Sequence, residues 1–398
     1  MTILRTPEQF IAAGLVPPER RAQLEAVGAR YAAALPPALA ALIDPSDPND
    51  PIARQFVPQG AELERRPEER ADPIGDEAHS PVEGIVHRYP DRVLLKLNAV
   101  CAVYCRFCFR REAIGPAKAR PLSQTQLARA LDYIRARPDL WEVILTGGDP
   151  LVLSARRLRA VMLGLGAIDH VKVVRVHTRV PIARPELVTS GLVRAVKASG
   201  KATYVAVHVN HARELAAPAR AALARMADAG IVLVGQTVLL AGVNDTAEAL
   251  GALMRALVEC RVKPYYLHHG DLAPGTGHLR TDIPTGQALM RALRGRLSGL
   301  CQPTYVLDIP GGHGKVPIGP TYLRGGDDGG CFVVEDFNGA RHVYPPTPAG
   351  QAAAAGEAAS VADRQEIEQR RRDGEPGKAD EHHHDNRVPD ERRVAPQG

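Results

Sequence analysis

Cys101-Ala102-Val103-Tyr104-Cys105-Arg106-Phe107-Cys108, followed at once by Phe109, Arg110 and Arg111, puts three of the chain's six cysteines within eight residues at C-x3-C-x2-C spacing. Such crowding exceeds what packing asks of a small buried hydrophobe, and it reads as a loop that gathers thiolates onto a metal cluster. A cubane iron-sulfur cluster has four irons and is usually held by four thiolates. Three close cysteines with no obvious fourth therefore leave one iron open to a ligand, and Phe107 can shield one side. The alternatives are a structural zinc site short of a ligand, or cysteines buried for packing alone.

Outward from this loop, residues 83–87 and 93–99 read as two short strands joined by a turn that Pro90 and Asp91 supply. After the cysteines, helix and strand alternate repeatedly, which predicts an α/β protein with a parallel sheet. Ser123-x-x-Gln126 is a capping box opening a helix through Ile134. A strand over 141–146 runs into Gly147-Gly148-Asp149-Pro150, and further strands are expected at 171–176, 203–209, 232–239, 264–268 and 304–309. Helices at 213–229, 246–259 and 285–300 fill some of the gaps. With the strand before the cysteines this makes about seven, enough for a full or partial α/β barrel whose chemistry sits at the C-terminal strand ends. Cys101, Gly147 to Asp149, Asp271 and Asp308 all fall there.

The flanks differ in kind. Residues 1–80 are expected to form a helical extension, opened by Thr6-Pro7-Glu8 with Phe10, Ile11 and Leu15 as its apolar stripe, and then a surface arm rich in Pro, Asp, Glu and Arg from Asp44 to Ala78. Residues 81–346 are the expected catalytic barrel. Residues 347–398 run through Ala, Gly and charges to His382-His383-His384, too poor in large apolar side chains to order themselves, and are expected as a disordered tail whose histidines are solvated rather than metal-binding.

Across 398 residues, 45% hydrophobic and 24% charged content is enough to build a sizeable core. A net charge of +5, from 50 basic and 45 acidic residues, is too mild for nucleic acid to be the main partner. No apolar run reaches the roughly 18 residues that span a membrane, and no signal sequence is visible, so the expected compartment is the cytoplasm. Cys260, Cys301 and Cys331 are too scattered for a disulfide framework.

Gly147-Gly148-Asp149 offers bare backbone amides and a carboxylate, suited either to the ends of an amino acid or to an ordinary strand-to-helix turn. Pro310-Gly311-Gly312-His313-Gly314-Lys315 lets backbone approach a ligand while one lysine projects, and a lysine in an apolar site can form a Schiff base. It is not a phosphate-binding P-loop, since Val316 follows Lys315. A surface glycine loop with an incidental lysine is the plainer reading. Asp271 and Asp308 can act as acid and base, bind a metal, or clamp a cation such as an amine. Arg110 suits a substrate carboxylate or a surface salt bridge.

Together these residues resemble the lysine 2,3-aminomutase family of radical S-adenosylmethionine enzymes, over about Thr6 to Pro346. The resemblance is carried by residues 87–93 (His-Arg-Tyr-Pro-Asp-Arg-Val), the cysteine loop with Arg110 and Arg111, residues 145–151 around Gly147-Gly148-Asp149, residues 238–245, Pro264-Tyr265-Tyr266-Leu267, and Asp308 through Lys315. It implies a radical SAM partial (β/α)6-type barrel. Cys101, Cys105 and Cys108 match the thiolates of a [4Fe-4S] cluster whose open iron binds S-adenosylmethionine. Gly147, Gly148 and Asp149 resemble the segment that holds the methionine part. Lys315 matches the lysine that carries pyridoxal 5'-phosphate, and Arg88 and Arg92 match contacts to its phosphate. Arg110 matches the partner of the substrate carboxylate, and Asp271 and Asp308 match the receivers of the lysine side-chain ammonium. The implied activity moves the α-amino group of L-lysine to the β-carbon, with an electron donor such as flavodoxin or ferredoxin, and possible homo-oligomers. The nearest alternatives are the branch that makes β-lysine for elongation factor P and an aminomutase acting on a related amino acid. Departures from the family pattern are Gly270 and His313, where cysteine and glycine are common, and an isolated Cys331 in place of a C-terminal zinc-binding cysteine cluster.

Overall fold

The computed structural model describes residues 2–115, 121–325 and 331–345, with the single positions 365, 368 and 369. The chain divides into two compact units, Met1–Pro320 and Thr321–Gly398. The expectation of a disordered tail falls almost entirely outside the described residues.

The first unit is built on one nine-stranded sheet in sequential order. Its strands are β1 (Ile85–Tyr89), β2 (Arg92–Asn98), β3 (Glu142–Gly147), β4 (Val173–Thr178), β5 (Ala202–His208), β6 (Val232–Val238), β7 (Val262–His268), β8 (Thr304–Asp308) and β9 (Lys315–Pro317). Pairing is parallel from β2 to β8 and antiparallel at both edges, β1 on β2 and β9 on β8. This is a curled half-barrel. Side chains alternate between its faces. Val93, Leu95, Leu97, Val143, Leu145, Val174, Val176, Val205 and Val207 face outward into one apolar core with Ile134, Leu158, Met162, Leu223, Leu253 and Leu257 of the surrounding helices. The other parity, including Ile144, Arg175, His177, His208, Gln236 and His268, lines the concave side.

Helix starts follow local chemistry. Ser123 forms the expected capping box with Gln126, and Thr6, expected only as a helix start, forms one with Gln9. Thr246 caps Ala247–Glu259. Two expected helices are shorter than the periodicity suggests. The segment 213–229 divides into a turn at Ala212–Glu214 and a helix at Ala217–Asp228, because Pro218 has no N–H to continue a helix begun at Arg213. The helix expected at 285–300 starts earlier and ends at Leu293, since Asp282 caps Ile283–Leu293 and Gly295 takes a φ of 72° beyond it.

The segment 44–78 is a surface arm only in part. Asp50, Ile52, Gln55, Phe56 and Glu62 are all fully buried, and Asp76 is 7% exposed. Three of its acidic residues, Asp50, Glu62 and Asp76, are counter-ions of arginines of the barrel, while Asp44, Asp47, Glu64, Glu68 and Glu77 are exposed.

The second unit contains an antiparallel sheet of β10 (Leu323–Gly325), β11 (Phe332–Glu335) and β12 (Arg341–Tyr344). No helix among the described residues is long and apolar enough to cross a membrane.

Candidate active site

The cysteine loop leaves the C-terminal end of β2 and is held from behind by one carboxylate. Glu62 accepts from Nε of Arg106 at 2.9 and 3.0 Å and from the terminal nitrogens of both Arg106 and Arg111. Arg106 also donates to the Ala32 carbonyl at 2.8 Å, and Arg111 to the Gly275 carbonyl at 3.0 Å. Burial favours the neutral acid at Glu62, but the two guanidinium charges override it and hold the carboxyl below its ordinary range. The loop's arginines thus face the N-terminal segment. Its thiols face the concave side.

All three thiols line a cavity of about 690 Å³. Burial pushes Cys105 up, Cys108 to about 11, and Cys101 well above its usual value with the Asp149 charge adding to it. Thiols so placed keep their protons unless a cation draws them off.

The Gly-Gly-Asp turn ends β3 against the entry to this loop. The N–H groups of Gly148 and Asp149 donate to the carbonyls of Asn98 and Val100, at 2.6 and 2.8 Å. A Cβ on Gly148 would collide with the backbone of Val100, so a larger residue would push the cysteine loop away. The Asp149 carboxylate accepts from the N–H of Leu151 at 2.9 Å, the N–H of Arg179 at 2.7 Å and the hydroxyl of Thr178 at 2.7 Å. That carboxylate ties the ends of β3 and β4 together.

Across the cavity, Lys315 opens β9. Its backbone N–H donates to the Tyr89 hydroxyl at 2.8 Å. Its Nζ is ion-paired with Asp308, stands 3.2 Å from Nδ1 of His268, and lies 5.5 Å from the centroid of the Tyr266 ring. Burial would raise Asp308, yet His268 and Lys315 hold it well below the usual carboxylate range. Asp271, on the loop after β7, is pushed up to about 7 by burial and by the nearby Asp308 charge. Gly312 sits at φ 89° where a Cβ would meet the His79 ring, so the lysine loop rests directly on the N-terminal segment.

Arg110 donates from Nε to Asp76 at 2.7 Å, and Arg88 reaches the other oxygen of Asp76 at 3.2 Å. Burial favours the neutral acid at Asp76 as well, but Arg110 holds it ionised. Arg92 pairs with Asp91 at 2.7 Å and stacks 3.8 Å from the centroid of the Tyr89 ring. Every residue singled out from the sequence for the site lines this one cavity.

Sequence reasoning missed the histidines on the concave side. Nε2 of His177, Nε2 of His208 and Oε1 of Gln236 meet no hydrogen-bond partner among the described residues. Burial, with Arg175 beside it, keeps His177 neutral, and burial with Arg179 lowers His208 to about 3. The signal was present in Val173-Val174-Arg175-Val176-His177-Thr178, where polar residues fall on one parity of an otherwise apolar strand.

Comparison with known proteins bears on this site. Residues 95–253 match the model of the radical SAM superfamily, and residues 290–386 match a family model described as lysine-2,3-aminomutase. The L-lysine 2,3-aminomutase of Clostridium subterminale is 40% identical over 290 residues, which are 73% of this chain and 69% of that one. A putative L-lysine 2,3-aminomutase of Aquifex aeolicus is 37% identical over 322 residues, 81% of this chain and 86% of that one. The chain belongs to the lysine 2,3-aminomutase family.

As a member of that family it is a radical SAM isomerase. The family also contains a relative named glutamate 2,3-aminomutase, from Clostridioides difficile, 36% identical over 300 residues, 75% of this chain and 70% of that one. Membership therefore leaves the amino acid to be argued from the site. Radical SAM chemistry brings a [4Fe-4S] cluster and S-adenosylmethionine, and the residues present fit them. Three half-buried free thiols share one cavity, and among the described residues no group of three ligating side chains converges on a single ion. A cubane takes its thiolates on separate irons, so it needs no such convergence.

Proposed function

We propose that this enzyme moves the α-amino group of L-lysine to the β-carbon, with pyridoxal 5'-phosphate carried on Lys315 and S-adenosylmethionine at the open iron of a cluster held by Cys101, Cys105 and Cys108. One observation carries this reading. A lysine amine that follows a glycine-rich loop shares a cavity with the three thiols, is paired with Asp308, and has Asp271 lining the same cavity. Arg88 and Arg92 lie close in sequence to Tyr89, whose hydroxyl anchors the backbone of Lys315, and both line the same cavity, where they suit a cofactor phosphate.

When bound, pyridoxal phosphate supplies an aldehyde for the substrate amine and a conjugated system that delocalises an unpaired electron, while the cluster and S-adenosylmethionine supply the radical. The chain's own residues position and select. Arg110 spends Nε on Asp76, which fixes its plane and leaves the fork of terminal nitrogens for the α-carboxylate. Asp271 and Asp308 receive the ammonium at the far end of the substrate. Asp308 pairs with Lys315 here, and with Lys315 holding the cofactor that carboxylate would be available to a cation. A second carboxylate in place of the ammonium would meet two acids and no free base. The neutral His177, His208 and Gln236 offer polar contacts that carry no charge into a cavity where a radical must be kept from water.

The test is anaerobic reconstitution with iron, sulfide and pyridoxal phosphate, then incubation with S-adenosylmethionine, dithionite and either L-lysine or L-glutamate, followed by chromatography. β-Lysine from lysine and no product from glutamate are expected. β-Glutamate, or 5'-deoxyadenosine with unchanged lysine, overturns the assignment.

A further inference from the structure

Arg179 follows Thr178 at the end of β4, is 6% exposed, and lay outside the sequence reading altogether. Its Nη1 donates to Sγ of Cys105 at 3.1 Å, the one side-chain hydrogen bond to any of the three loop thiols among the described residues. The guanidinium is held at several points, although Nη2 has no hydrogen-bond partner among the described residues. Nε donates to the carbonyl of His208 at 3.1 Å, and the rings of Phe56 and Phe107 lie 5.0 and 5.3 Å from it. Nη2 stands 3.4 Å from Oε2 of Glu214, and the backbone N–H is held by Asp149 at 2.7 Å. Glu214, 1% exposed, is itself immobilised, its other oxygen accepting from the N–H groups of Asn210 and His211 at 2.9 Å each and from Nε2 of Gln55 at 3.2 Å.

A structural ion pair would need only Glu214. The arginine instead keeps that carboxylate at ion-pair distance without a hydrogen bond, and spends Nη1 on a sulfur. Hydrogen bonds to ligand sulfurs are among the levers by which a protein moves the potential of an iron-sulfur cluster, and a charged donor makes such a bond roughly twice as strong as a neutral one. We propose that Arg179 is a positioning residue that raises the reduction potential of the cluster through its N–H···S bond to Cys105, and that Glu214 limits the effect. The step concerned is the transfer of one electron from a low-potential donor to the cluster, with no bond made or broken. The added negative charge spreads onto the ligand sulfurs, where the guanidinium stabilises it. The inference rests on the cluster assignment above.

The experiment uses the full-length reconstituted protein as wild type, Arg179→Gln, Arg179→Lys and Glu214→Gln. Iron and sulfide are counted per chain, and a potentiometric titration is read by low-temperature EPR of the reduced cluster. Arg179→Gln is expected to lower the midpoint potential, Arg179→Lys to lower it less, and Glu214→Gln to raise it, because the guanidinium charge is then uncompensated. Opposite signs are the diagnostic. A purely structural role predicts that both positions leave the potential in place or move it the same way, and either result overturns the inference. Should Arg179→Gln fail to retain iron, Glu214→Gln decides alone, and a potential that stays or falls overturns it. Wild type that binds no iron removes the cluster assignment and this inference with it, whereas wild type with a full cluster and unmoved potentials in the variants removes only the role of Arg179.

Discussion

Asp271 is the residue on which substrate choice and pH meet. Burial and the neighbouring Asp308 charge raise it to about 7, so below that pH it carries a proton and offers no charge to an ammonium group. As pH rises through 7 it ionises while the lysine side chain stays cationic. Lysine binding to unreduced, cofactor-loaded enzyme is therefore expected to tighten by up to about tenfold per pH unit below the transition and to level off above it. Calorimetric titration between about pH 6 and pH 8 checks this, and Asp271→Asn should bind weakly with a flat profile. A flat wild-type profile would remove Asp271 from the clamp. Its position after a strand was legible in the sequence, as were the cysteines by spacing and Lys315 by its glycines. Glu62 and Asp76 were not. Their arginine partners lie 12 to 49 residues away along the chain, and a run of Pro, Asp, Glu and Arg looks the same whether water or guanidinium groups surround it.

At the scale of elements, sequence alternation reported strand positions well because parallel strands buried on their outer face read as apolar runs. It reported helix ends less well, since Pro218 and Gly295 act through single backbone groups that periodicity does not register. The lysine loop shows how such single positions matter. Gly312→Ala has to be accommodated at φ 89° against the His79 ring, a strain on the order of 1–3 kcal/mol. The expected result is a loss of pyridoxal absorbance in the purified variant with iron content unchanged, because the cysteine loop is anchored elsewhere. Equal loss of both would mean that the two loops fold as one piece.

For the whole of the first unit, the N-terminal segment is structural to the barrel and not an appendage. Glu62→Ala leaves Arg106 and Arg111 buried without a counter-ion, and breaking a buried pair from one side costs about 3–5 kcal/mol. The pH dependence has a definite sign. Glu62 and Asp76 are depressed below their ordinary values of 4.5 and 3.8 in the folded protein, so the stability they contribute is complete above those values and is lost as pH falls through the lower folded ones. Thermal melts are expected to fall steeply below about pH 4.5 in wild type and less steeply in Glu62→Ala, which starts lower. A chain beginning at Pro81 is expected to be insoluble for the same reason, and a soluble, cooperatively folding product would contradict this account.

The Glu62 clamp also bears on the order of events as the chain is made. Synthesis is vectorial, and segments near the N-terminus leave the ribosome first. Glu62 precedes Arg106 by 44 residues and Arg111 by 49, so the acid is already outside when the two bases emerge with the cysteines between and before them. The loop can thus be captured by charge while its thiols still carry protons, and the iron delivered later meets a template already shaped rather than one it must shape itself.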